Sequence, residues 1–224
     1  MRQIETRGPV KGRLEVQARM HTALQTLYTY WNETRAGRMA PRRLEIEPSA
    51  LGPALAHTFM LERGEFDIFQ YRLAGTRVCD LFGAELRGRD YLAGFSDVDR
   101  LTLRRELKTV CERGAVLKAA IVANSDVTHS IEIETMLLPL VHSGNVIDRV
   151  IGAAAPKSLP YWLGRERLNR LKLISHELIW PDGRPFAAVA ASSEPPPFVR
   201  DLGTVRIVRS ERRTFRVLQG GRTD

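Results

Sequence analysis

The 224-residue chain is 43% apolar and 27% charged, an ordinary composition for a globular protein and enough for one domain with a substantial core. It has no run of about 18 apolar residues, so no membrane-spanning helix is expected. The net charge of +8 sits at the ends, with nine Lys and Arg against five Asp and Glu in residues 1–49, seven against three in 200–224, and a neutral middle. Basic ends can meet nucleic acid or an acidic membrane surface. No nucleic-acid motif accompanies them, and a solvated arginine-rich surface is the simpler reading. Cys79 and Cys111 fall in predicted helices, which fits reduced thiols better than a disulfide. The opening MRQIETRGPVKGR lacks the apolar stretch of a secretory signal, so a cytoplasmic location is expected.

In chain order, Leu14 to about Ala36 reads as a helix in which Met20, Leu24, Leu27 and Trp31 form one apolar stripe. That stripe packs either on its own sheet or on a second subunit, and the second choice makes it a dimer helix. Arg38, Arg42 and Arg43 follow, with Glu45 and Glu47 close enough for local pairing. Pro48 to Leu55 predicts one or two helical turns, His57 to Leu61 a first strand and Phe66 to Ala74 a second, joined as a hairpin. Phe69, Tyr71 and Leu73 alternate with Gln70, Arg72 and Ala74, the period of a half-buried strand. Gly75 breaks the strand, Thr76 is placed as the N-cap of the next turns, and Val78, Leu81 and Phe82 share their apolar face until Gly83.

Ser96-Asp97-Val98-Asp99 heads a helix that carries Leu101, Leu103, Leu107, Val110 and Cys111 and ends at Gly114. Three strands follow, over Val116–Ala123, Thr128–Val141 and Val146–Ala154. Leu168–Trp180 could add a sixth, SSEPPP at 192–197 reads as a linker, and Val205–Val208 and Phe215–Leu218 read as short strands.

The chain resembles PAS domains, closest to a bacterial family of stand-alone PAS-like proteins with no obvious output domain. The residues that carry the likeness are Tyr30-Trp31, Arg35, Gly37-Arg38, Pro41, Arg43 and Pro48, then Tyr71 to Arg77. Beyond them lie Leu81-Phe82-Gly83, Glu85-Leu86, Gly88, Leu137 to Leu140 and Ile151-Gly152. The resemblance implies an α+β fold: a five-stranded antiparallel sheet with flanking short helices, a long N-terminal helix and a C-terminal β extension. The expected layout is an extension over 1–47, a PAS-like core over 48–156 and a C-terminal extension over 157–224.

Such domains enclose an apolar pocket between the sheet and its short helices. The lining expected from the resemblance is Phe59, Phe69, Tyr71, Leu73, Val78, Phe82, Ile121, Ile133 and Leu138, with Arg72, Thr76, Arg77 and His129 as polar groups. The same residues would equally close-pack as a core. Arg72 is expected to bridge to Glu132 or Glu134 on a neighbouring strand. No flavin or haem motif is evident and the cofactor is left open. The five histidines show no metal spacing, and no nucleophile elbow or phosphate loop is present, so an enzyme is not expected. Cys79 near a helix start has the position of an activated thiol, though a buried small hydrophobe explains it as well. The expected role is a sensory or protein-interaction module in bacterial signalling, acting by homodimerisation and contact with a protein partner. Alternatives are a small-molecule binding protein using the PAS cavity, and nucleic-acid binding through Arg206, Arg209, Arg212, Arg213 and Arg216.

Overall fold

Alternating apolar residues dominate 116–156, and they pair as the centre of one antiparallel sheet in the computed structural model, which describes residues 20–126 and 128–183. The strands are β1 (Thr58–Arg63), β2 (Phe69–Ala74), β3 (Val116–Ser125), β4 (Ser130–Ser143), β5 (Val146–Pro156) and β6 (Leu168–Ile179). Their order is β2-β1-β5-β4-β3-β6, so the five expected strands stand together and the sixth lies beside β3. The helices are α1 (Thr22–Arg35), α2 (Thr76–Phe82) and α3 (Asp97–Arg113). Residues 14–19 of the predicted first helix, the 192–197 linker, both C-terminal strands and Arg206 to Arg216 lie outside the described residues.

Each face of the sheet has its own cluster of buried side chains. On one face Phe59, Phe69, Tyr71, Ile121, Ile133 and Leu137 pack with Val78, Leu81 and Phe82 of α2 and with Leu103, Leu107 and Val110 of α3. Leu101, placed in that stripe by the sequence, is exposed, because it lies two residues from Leu103 and on the far side of the helix. Ser96 accepts the Asp99 N–H at 3.3 Å, and Gly114 ends α3 in the left-handed conformation, as its flanking residues predict.

The other face is covered by α1. Leu24, Leu27 and Trp31 are fully buried there with Met20, Met136, Leu138 and Ile151. The indole Nε1 of Trp31 donates to the Pro139 carbonyl at 2.8 Å. The stripe set out above as a dimer helix is therefore packed within its own chain, the other of the two options. Arg35, with 4% of its side chain exposed, ties the end of α1 to Asp182 by two bonds of 3.0 and 2.7 Å.

Strand β2 departs from the simple alternation. It begins at Phe69 and not Phe66, which stands exposed in a turn with φ of +57°. Met60 pairs with Leu73 but Leu61 pairs with Tyr71, so Arg72 is an extra residue on β2. A bulge of this kind shifts the side-chain phase by one. Phe69 and Tyr71 stay buried while Leu73 turns outward, with 53% of its surface exposed.

Candidate functional site: a closed interior and an open basic cleft

The expected pocket is filled by side chains. Between β1, β2, the short helices and β4 there remains a void of about 10 Å3, lined by Phe59, Tyr71, Phe82, Ile121 and Ile133 among others. That is room for one water at most. Two residues that the sequence reading did not enlist, Tyr91 and Phe95, complete the packing. Phe59, Tyr71 and Tyr91 form a triangle with ring centroids 5.5, 5.7 and 5.8 Å apart. Burial pushes the Tyr91 phenol up to about 12 and the Tyr71 phenol well above its ordinary value, so both are neutral at physiological pH. The Tyr91 segment is held at the sheet edge by backbone bonds, Tyr91 N–H to the Phe69 carbonyl at 2.7 Å and Tyr71 N–H to the Arg89 carbonyl at 3.0 Å. The signal in the sequence was the apolar set Tyr91, Leu92 and Phe95 after Gly88, on either side of Gly94.

The remaining expected site residues divide. Phe69 and Val78 are fully buried in the same core without lining the void. Leu138 faces the α1 side. Gly75, and not Thr76, is the N-cap of α2, since the backbone approaches too closely there for a side chain: a Cβ on Gly75 would lie 2.4 Å from the Ala56 carbonyl oxygen. Thr76 and Arg77 are exposed on the first turn. Arg72 pairs with Glu62, not with Glu132 or Glu134, because β2 borders β1 and β4 lies beyond β5. Glu62 also takes Arg149 at 2.7 Å.

His129 lies away from the void, stacked on Trp162 with centroids 4.8 Å apart and bonded through Nδ1 to Glu166 at 2.8 Å. Hydrogen bonds from Ser125 and then His129 hold the Glu166 carboxyl below its usual value. Arg38 forms a bidentate pair with Glu45, at 3.0 and 2.8 Å, as local pairing predicts. Burial raises the Cys79 thiol and pushes Cys111 up to about 12, which disfavours the reactive thiolate at either position. Among the described residues no group of three His, Cys, Asp or Glu is placed to hold a metal, and no helix is long and apolar enough to cross a membrane.

A larger space lies outside the core, where the start of β1, the end of β5 and the exposed side of α2 converge. This cleft of about 850 Å3 is lined by His21, His57, Arg77, Asp80, Leu81 and the run from Pro156 to Pro160, then Leu163 to Arg165. The His21 and His57 rings stand 5.3 Å apart, and Lys157 is paired with Glu132. His21 Nδ1 accepts the Ala23 N–H at 3.2 Å as the cap of α1, so Nε2 carries the ring proton. Burial, then the neighbouring His57, lowers the His21 pKa, against a smaller opposing pull from Glu134. Of these residues only Arg77 was among the site residues expected from the sequence. The others come from separate segments spread between His21 and Arg165, and no spacing pattern links them.

A family model described as a PAS domain matches residues 19–155, more than half of the chain. No curated protein and no solved structure matches the chain. By its sheet, its flanking helices and the extent of that match, the chain belongs to the PAS domain family.

Proposed function

We propose that this PAS domain is a sensory or interaction module that works by contact with a protein partner in bacterial signal transduction or regulation, without catalysis of its own. The observation that carries this reading is the interior void of about 10 Å3, which leaves no volume for a flavin, a haem or a small acid between sheet and helices. Sites for such molecules ordinarily occupy roughly 300 Å3 or more. A module with a closed interior passes on a signal through its surface, by a shift between conformations that a partner binds unequally. The same observation argues against the small-molecule alternative that uses this cavity. Homodimerisation, if the module uses it, needs a surface other than the buried stripe of Met20, Leu24, Leu27 and Trp31.

Native mass spectrometry with an absorption spectrum tests the reading on freshly purified protein. It predicts the bare chain mass or a whole multiple of it, no absorbance beyond the aromatic band, and co-isolation from its native cells with one protein at fixed stoichiometry. A stoichiometric chromophore or added organic mass would contradict it.

A further inference from the structure

The cleft outside the core combines features that the closed interior lacks. Its volume of about 850 Å3 lies in the range of small-molecule sites, roughly 300–1,000 Å3. Its apolar part is supplied by Pro156, Leu159, Pro160 and Leu163, with the buried Leu81 at its floor. Its charge is one-sided: Arg77, Lys157 and Arg165 stand against a single carboxylate, Asp80. Lys157 is already occupied by Glu132. Arg77 and Arg165 are exposed, and among the described residues neither makes a side-chain hydrogen bond or ion pair. Two unengaged guanidinium groups beside an apolar surface suit a ligand with an acidic head and an apolar body. Guanidinium takes carboxylate and phosphate oxygens in a bidentate fork. His21 adds a neutral Nε2–H donor, since its Nδ1 is committed to Ala23.

We propose that this cleft binds a small organic anion, a carboxylate or phosphate monoester carried on an apolar body, with Arg77 and Arg165 on the acid group and Pro156, Leu159 and Leu163 against the body. The site is separate from the interior cavity, so it stands whether or not the contact role proposed above holds. Its place also has a mechanical consequence. A ligand there touches α2, the end of β5 and the segment after it at once, and so joins three elements that meet at one corner of the sheet.

Isothermal titration of the full chain with phenyl phosphate, benzoate, benzyl alcohol and inorganic phosphate tests the proposal. Saturable binding of phenyl phosphate or benzoate is expected, and which of the two binds more tightly tells phosphate ester from carboxylate. Benzyl alcohol and inorganic phosphate, each lacking half of the ligand, are expected to bind at least about tenfold more weakly. The double variant Arg77→Ala/Arg165→Ala is expected to lose at least about tenfold in affinity while keeping the wild-type melting temperature, because both side chains are exposed and unpaired. A second variant, Leu163→Asp, keeps both arginines and is expected to weaken phenyl phosphate more than inorganic phosphate. No binding of either aromatic acid, equal binding of benzyl alcohol, or full affinity in the arginine double variant would overturn the proposal. Tighter binding of an Asp/Glu-rich peptide than of both aromatic acids would overturn it in favour of an acidic protein segment.

Discussion

Trp31 shows how much one residue commits the fold. It is fully buried, its indole N–H is spent on the Pro139 carbonyl, and the Arg35 guanidinium lies 5.5 Å from its ring. Trp31→Ala is expected to cost about 3–5 kcal/mol in urea denaturation, the range for emptying a large buried aromatic. Trp31→Phe is expected to cost less, since most of the packing survives and one buried hydrogen bond is lost. An effect on subunit association with no loss of stability would place Trp31 at an interface instead. Gly75 is the second such residue, for the backbone of residues 55 and 56 occupies the space of its missing side chain. Gly75→Ala must therefore displace the strand-to-helix junction, and a fall in melting temperature of several degrees is expected for a loss of about 1–3 kcal/mol.

At this scale the sequence was legible wherever one rule acted alone. Val78, Leu81 and Phe82 are buried at helical spacing, and Gly83 ends the helix in the left-handed conformation, as read. It was not legible at Leu73, where the inserted Arg72 reverses the phase and no residue type announces a bulge.

At the scale of elements, α1 was legible as an amphipathic helix but its partner was not. A stripe of apolar residues looks the same whether it covers its own sheet or another subunit. What decides between them is the opposite surface: Met136, Leu138 and Ile151 present an apolar sheet face in the same chain. Strand β4 carries the sign of this in its sequence, since the alternation over 131–135 gives way to continuous apolar residues at Met136, Leu137 and Leu138, the pattern of a strand covered on both faces. Leu27→Glu is accordingly expected to unfold or strongly destabilise the domain, read by loss of the cooperative denaturation transition.

The start of α1 also carries a pH dependence. Burial and His57 lower the folded-state pKa of His21 below its ordinary 6.5. The unfolded chain therefore takes up this proton first as pH falls. Stability is at its full value above the ordinary pKa and declines below it, through the window down to the lowered folded value. Protonation at Nδ1 would also remove the acceptor that caps Ala23. His21→Asn keeps a capping acceptor without the titration. The variant is expected to gain on the wild type in denaturation experiments as pH falls from about 7.5 to about 5.5. A constant difference across that range would remove His21 from the account.

For the whole molecule, a closed interior follows from where the aromatic residues meet. The order of elements was legible, since hairpin, short helices, long helix and three strands follow one another in the sequence as they do in the structure. The filling of the pocket was not, because it depends on Tyr91 and Phe95, whose segment forms no regular element and is set against the core by backbone bonds to β2 and to Leu171 of β6. The basic cleft was hidden for the same reason, since its residues meet only once the ends of β1, β5 and α2 have converged.

The most direct test is an indole titration followed in the methyl resonances of Ile121 and Ile133, with Phe95→Ala as the control that opens a cavity. A closed interior predicts no shift of these methyls in the wild type and saturable shifts in the variant, as an apolar cavity of engineered size admits such a ligand. Saturable shifts of the same methyls in the wild type would contradict it, and would return the interior to use as a ligand pocket.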